Sequence, residues 1–335
     1  IRIDISRYEL VPRTSTGPLG GRATRSGALL RWIAEDGNVG YSDCFPWPEL
    51  GDENLETQLA SLRAGTLTRL TRRGAELARI DMRARADGVS LFANAVPVES
   101  HFLVADMQDA VRVANAYVAG FRAFKLKVSR DQPWEEVAAL FGPMEGCRLR
   151  LDFNGTLRDS DSTIRCWDGM PDTLRSRVEW VEDPFPFDAV AWRQIVSLTG
   201  MTLAFDHGGE GFFAEADVLT ETVGVWVVKP AVQDPERLFY GSLPRKVCVT
   251  SYLDHPLGQV VAYWYALHAR KSGVIDLQAC GLVSHSAYVS NDFSEALGWS
   301  GPFALPVPGT GFGFDEILAG RSWSTFSIID HDPLS

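Results

Sequence analysis

From about residue 96 the chain alternates eight short apolar runs with helix-length amphipathic stretches, and this alternation restricts the available folds more than any other feature. The runs are VPVESHFLV, FRAFKLKV, CRLRLDFN, RVEWVED, MTLAFD, VWVVKP, KVCVTSY and VIDLQA; between them lie pieces such as MQDAVRVANAYVAG, QPWEEVAALFG and HPLGQVVAYWYALHAR. Parallel strands need a crossover between them, so eight strand–helix units over about 200 residues predict a (β/α)8-type, TIM-like barrel. The first ninety-odd residues read differently. RIDISRYELVP and GALLRWIAEDGNVGYSDC look like antiparallel strands, and ENLETQLASLRAGTLTRLTRRGAELARIDMRARADG looks helical. Between the two strand segments, RTSTGPLGGRATRSG has no apolar face to bury and reads as a mobile loop, either lid or connector. The expected fold class is α/β, a barrel over residues 96–299 behind an N-terminal α+β capping domain over 1–95. The tail 300–335 is a candidate to pack back on that cap.

Composition excludes several classes of partner. Thirty-two basic residues against 43 acidic ones give a formal charge of −11, and no basic run offers a local exception, so no nucleic-acid partner is expected. No stretch is long and apolar enough for a membrane span and no signal peptide is evident, so the expectation is a cytoplasmic protein without a membrane partner. The five cysteines are dispersed without a C-x-x-C pair and read as reduced core residues. Oligomeric state is not legible.

The run FRAFKLKV carries two lysines one residue apart. In a strand, side chains alternate faces, so Lys125 and Lys127 point one way while Phe124, Leu126 and Val128 point the other. Working groups of such barrels sit at the carboxyl ends of the strands. The next runs end in Asp152, Glu182, Asp206 and Lys229, spaced by 30, 24 and 23 residues, each about one strand–helix unit. Three carboxylates at one level would force some to protonate unless a cation joins them. All-oxygen ligation points to Mg2+, with Mn2+ as a substitute. A lysine near other cations in a partly dry site has a depressed pKa and can act as a base. Together these groups suit removal of a proton next to a carboxylate in a small-molecule substrate.

The pattern K-x-K, D-x-N, E-D-P, D and V-K-P on successive strands resembles the enolase superfamily, and its paired lysines resemble the muconate-lactonizing group. Further details resemble the o-succinylbenzoate synthase family of menaquinone synthesis: VGYSDCFPWPELGDENLETQLASL in the cap, TRSG as an Arg-x-Gly element, and CVTSYLDHPLGQVVAYWYAL as seventh strand and following helix. The resemblance implies that Asp152, Glu182 and Asp206 bind Mg2+ and that Lys127 removes the α-proton and then protonates the departing hydroxyl. Lys229 would stabilise the developing negative charge from across the site. Lys125 would lie near the substrate carboxylate and help lower the pKa of Lys127. The implied reaction is dehydration of 2-succinyl-6-hydroxy-2,4-cyclohexadiene-1-carboxylate to 2-succinylbenzoate, by a carbon–oxygen lyase. N-acylamino-acid racemase, dipeptide epimerase and muconate cycloisomerase are alternatives on the same scaffold. A non-catalytic metabolite-binding barrel is the alternative of another class, and it would predict loss of at least one ligand or base.

Blander readings stand beside these. A single strand lysine usually snorkels to the surface, and a single strand-end acid is as often a cap or an ion pair. Asn154 is either part of the metal surroundings or a turn residue. Asp183 reads as structural, facing away from Glu182. Arg25 is a surface residue or a contact to a substrate carboxylate, and Thr250, Ser251 and Tyr252 sit where relatives meet the succinyl end. His207, Gly208 and Gly209 depart from the family pattern after the third acid. Asp254 and His255 are adjacent before a helix, so they are not expected to form one dyad, and His255 reads as a helix N-terminal residue.

Overall fold

The computed structural model describes residues 1–13, 24–104, 106–206, 213, 215–216, 219–240 and 245–328, with residues 237 and 328 described by backbone only. Most of the expected glycine-rich loop and the segment His207–Gly208–Gly209 lie outside the described residues.

Strands β1 (Arg2–Leu10), β2 (Arg25–Ile33) and β3 (Val39–Cys44) form an antiparallel meander. Alternation is clean in β3, whose Gly40, Ser42 and Cys44 are buried and whose intervening residues are partly exposed. The stretch expected to be helical is helical, in two pieces, Leu55–Arg63 and Arg69–Ala86. The break has a local cause. Gly65 takes φ +76°, and Thr68 starts the second helix with a reciprocal capping box to Thr71.

The short strand β4 (Val98–Glu99) leads into the barrel strands β5 (Phe102–Val104), β6 (Ala123–Lys127), β7 (Arg148–Asp152), β8 (Val178–Glu182), β9 (Leu203–Phe205), β10 (Val225–Val228), β11 (Arg245–Val249) and β12 (Ile275–Leu277). These eight pair in parallel and in chain order, as the sequence predicts. Two backbone bonds at the seam, His101 N–H to Cys280 O and Cys280 N–H to Glu99 O, both 2.7 Å, join the first strand to the segment after the last. Among the crossover helices, Pro256–Lys271 is the most deeply sunk, with 13 of its 16 residues buried. Two further strands, β13 (Gly298–Ser300) and β14 (Phe303–Leu305), make a small sheet with β4. The final strand β15 (Ser324–Ile328) pairs antiparallel with β1, so the tail completes the sheet of the N-terminal region.

Cap and barrel share one core. Ile3, Leu30, Trp32, Phe45, Trp47 and Leu59 pack in the same cluster as Val232, Tyr252 and Tyr288. At about 25 cal/mol per Å2 of apolar surface, several large side chains closing one junction hold the cap over the strand ends. Among the described residues no helix is long and apolar enough to cross a membrane.

Candidate active site

The pleat of the barrel strands builds the site in layers. Trp180, Ala204, Val225, Val227 and Cys248 point inward as a separate buried cluster, while their neighbours Val181, Leu203, Trp226, Val228 and Val247 pack outward on the helices. Two residues beyond an inward-facing position the side chain points inward again, one level higher. That rule carries Arg150 to Asp152, Trp180 to Glu182, Ala204 to Asp206 and Val227 to Lys229. Lys127, Asp152 and Glu182 pair directly across their strands, but Glu182 pairs with Ala204, so Asp206 lies two residues further along. Such stagger is what tilted barrel strands require for residues to meet at one height.

Lys125, Lys127, Asp152, Asn154, Asp206, Lys229, Thr250, Ser251 and Arg25 all line one cavity of about 280 Å3 roofed by cap residues. Glu182 lies beneath it and is 1% exposed. The Nζ of Lys125 stands 2.5 Å from Glu182 Oε1 and 3.0 Å from Asp152 Oδ2. Lys127 Nζ is 3.5 Å from Asp152 Oδ2 and donates to Asn154 Oδ1 at 2.8 Å. Across the cavity, Lys229 Nζ meets Asp206 Oδ2 at 2.5 Å. Asn154 serves turn and site at once: it takes φ +49°, and its backbone N–H donates to Asp152 Oδ1 at 3.0 Å. Asp183, with φ +39°, leaves the strand direction and accepts a bond from the Asp206 backbone N–H at 3.1 Å, so it holds the neighbouring acid in place.

The electrostatics separate the two lysines of β6. Burial opposes charge on Lys125, but Asp152, Glu182 and Asp206 overcome it and carry its pKa well above the ordinary lysine value. Lys127 moves down, by burial first and by the positive charges of Lys125 and Lys229, against the pull of Asp152 and Glu182. Burial lifts Glu182 to about 8, with Lys125 opposing and the other acids adding to the rise. Asp152 stays below the ordinary range although burial works the other way, because Lys125 and Lys127 flank it.

As they stand, no three acid, histidine or cysteine side chains among the described residues converge closely enough to hold a metal ion. Among the described residues lysine ammonium groups stand within 3.0 Å of each acid instead. The donor chemistry nonetheless suits a hard divalent cation: three buried carboxyl groups and no sulfur ligand.

Toward the cap, Arg25 lies with its guanidinium 3.7 Å from the centroid of Trp47 and pairs with Glu49 at 3.0 Å. Ser251 Oγ is 2.5 Å from Ser284 Oγ, and the buried Thr250 hydroxyl has no hydrogen-bond partner among the described residues. Tyr252 turns to the cap and donates to Asp52. Asp254 and His255 are apart from this cavity. His255 caps the helix Pro256–Lys271 by accepting from Leu257 N–H, and Asp254 lines a second, smaller cavity. Sequence reasoning missed His101, Trp47, Glu49 and Ser284 as lining residues. His101 was within reach of the period-two rule, since it immediately precedes the first barrel strand and shares a face with Leu103. The others are brought in by loops whose path no local pattern announces.

Residues 3–84 match the family described as O-succinylbenzoate synthase, N-terminal domain, and residues 108–233 match the one described as Enolase C-terminal domain-like. The o-succinylbenzoate synthase of Bdellovibrio bacteriovorus is 33% identical over 335 residues, covering 98% of this chain and 99% of that protein. That of Thermosynechococcus vestitus is 26% identical over 277 residues, 75% of this chain and 85% of that protein. Among solved structures, a dipeptide epimerase from Cytophaga hutchinsonii complexed with Mg and the dipeptide D-Ala-L-Val superposes with a TM-score of 0.75 at 16% identity, over 97% of this chain and 99% of that one. At that identity the likeness speaks for the fold.

Proposed function

We propose a function from the premise that this chain belongs to the o-succinylbenzoate synthase family of the enolase superfamily: it is a Mg2+-dependent dehydratase forming 2-succinylbenzoate. The substrate is 2-succinyl-6-hydroxy-2,4-cyclohexadiene-1-carboxylate, placing the enzyme in menaquinone synthesis and in the cytoplasm. The observation that carries the reading is Lys127, a lysine with depressed pKa, facing Lys229 across a cavity that Asp152 and Asp206 also line, with Glu182 beneath.

Asp152, Glu182 and Asp206 would hold the cation, releasing their lysine partners toward substrate. When bound, Mg2+ supplies positive charge to the substrate carboxylate and so acidifies the adjacent C–H bond. Lys127, as neutral amine, takes that proton. Lys229 stays an ammonium on the opposite side and stabilises the negative charge that develops in the ring. Lys127 then returns its proton to the departing hydroxyl, so water leaves and the ring becomes aromatic. Asn154 holds the Lys127 amine on its line of approach. Arg25, released from Glu49, is placed to meet the succinyl carboxylate, and Ser251 to meet a neighbouring oxygen. In the same reading residues 1–95 cap a barrel of residues 96–299.

The test is ultraviolet absorbance of the cyclohexadiene with purified protein, with Mg2+ and then with excess chelator. Metal-dependent loss of the diene band, with succinylbenzoate identified by mass, supports the reading. An unchanged band with metal-loaded protein overturns it and directs the search to deuterium exchange in N-acylamino acids.

A further inference from the structure

The dehydratase mechanism leaves one buried pair in the cavity unused. His101 is 5% exposed and lines the cavity beside Leu103 and Lys125. Its Nδ1 lies 2.8 Å from Nη1 of Arg150, a residue 1% exposed whose guanidinium stacks 3.9 Å from the Trp180 centroid and also bonds Glu179 and the Ala279 carbonyl. We propose that His101 is a substrate-positioning residue whose Nε2–H donates a hydrogen bond to an oxygen of the carboxylate substrate at the floor of the cavity, in a tautomer set by Arg150.

The tautomer follows from donor chemistry. A guanidinium has five N–H donors and no acceptor, so a ring nitrogen 2.8 Å away must present its lone pair. The single ring proton of a neutral imidazole is then on Nε2. A doubly protonated ring would set N–H against N–H. Burial, and then the charges of Arg150 and Lys125, hold the His101 pKa well below its ordinary value, against the smaller effect of a hydrogen bond to the Ala279 carbonyl. Nδ1 is taken up by Arg150, Nε2 is not among the sealed polar atoms that lack a partner, and the ring lines the cavity, so Nε2 is the nitrogen left to face it.

The ring's position is also built in. The His101 backbone N–H is fixed to Cys280 O at 2.7 Å, and a Cβ added to Gly281 would stand 3.0 Å from His101 Cε1 and 2.7 Å from Thr250 Cγ2. Gly281 thus leaves the room in which the imidazole sits. A neutral donor has a use here that a further cation would not. It can bind a substrate oxygen without adding positive charge beside the cation site or further depressing Lys127.

The identity of the bound molecule rests on the dehydratase reading; the tautomer does not. Two measurements separate them. In Mg2+-loaded enzyme turning over the cyclohexadiene, His101→Leu is expected to raise KM roughly tenfold with kcat within about threefold, and His101→Gln, which keeps a donor near Nε2, to restore most of it. An unchanged KM in His101→Leu overturns the proposal, as does a Gln variant no better than Leu. In wild-type protein labelled with 15N-histidine, the His101 signals should show protonated Nε2 and bare Nδ1 from pH 6 to 9, with Nε2 shifting on titration of 2-succinylbenzoate. An Nδ1–H tautomer, or no shift at saturating product, overturns it even where the Leu variant does not fold. Wild-type protein inactive on the cyclohexadiene sinks the dehydratase reading, while the tautomer is then decided by the nitrogen spectrum alone.

Discussion

Two regions of this molecule bury clustered carboxyl groups, and they resolve the charge in opposite ways. In the barrel mouth, Asp152, Glu182 and Asp206 are interleaved with Lys125, Lys127 and Lys229, and the lysines beside Asp152 hold its pKa down against burial. At the cap–barrel junction, Asp254 is 1% exposed and neither carboxyl oxygen has a hydrogen-bond partner among the described residues. Burial, and then the nearby Asp43, carries its pKa well above the ordinary value. Asp43 itself is lifted to about 7 by burial, although Tyr8 donates to it at 2.6 Å and the His255 backbone N–H at 3.3 Å. The small cavity between them is walled by Phe45, Leu70, Leu77, Leu257 and Val261, an apolar lining that favours a proton over an ion. The lesson is that buried acids alone do not make a site; the cations placed among them do.

The comparison can be broken most severely at Lys127. Lys127→Ala is expected to lower kcat by roughly 10³-fold while circular dichroism and melting temperature stay near wild type. Full activity in that variant would remove the base. A smaller effect is expected at the acid that supports another acid. Asp183→Ala frees the Asp206 backbone, and the Mg2+ concentration for half activity should rise roughly tenfold. An unchanged metal titration would make Asp183 a turn residue only.

Stability against pH should slope in opposite directions at Asp254 and at Asp152. Asp254 has a raised folded pKa, so the folded state binds more protons than the unfolded one above about pH 4 and stability falls as pH rises. Asp254→Asn should therefore gain on wild type with rising pH, by up to about 1.4 kcal/mol per unit while the native carboxyl stays protonated. Asp152 has a lowered folded pKa, so its contribution is present above the unfolded value and lost as pH falls. In chelator, Asp152→Asn should be less stable than wild type at pH 7, with the gap closing toward pH 3. Urea midpoints at several pH values read both; parallel curves for Asp254→Asn and wild type would show that Asp254 ionises in the fold. His255, lowered to about 3 by burial, adds a background in which stability rises between about pH 3 and 6.5, common to wild type and both variants. The smallest effect is expected at the rim. Arg25→Met keeps a side chain over Trp47 and should raise KM about threefold, with kcat nearly unchanged.

The barrel strands were legible because each run is short, apolar and bounded, and because a parallel sheet buries both faces. The inward direction of Lys125 and Lys127 followed from the period of two, and the strand-end acids from their spacing. The helix break at residues 64–68 was less visible, since Gly65 and Thr68 interrupt a pattern that helical propensity on both sides disguises. The roles of Asp183, Arg25 and His101 were not separable from surface or structural alternatives, because each depends on a partner 23, 24 or 49 residues away.

By itself the sequence determined the order of strands and helices, the face each strand residue takes, and the set of charges that can meet at the carboxyl ends. Only the tertiary structure decided which of those charges are neighbours. Strand tilt sets Asp206 and Lys229 two residues out of register, and loop paths bring Trp47 and Glu49 over the cavity. Burial lowers both lysines of one strand, but Asp152, Glu182 and Asp206 outweigh it at Lys125 and not at Lys127, because a pKa responds to the charges around it in space rather than to its place in the chain.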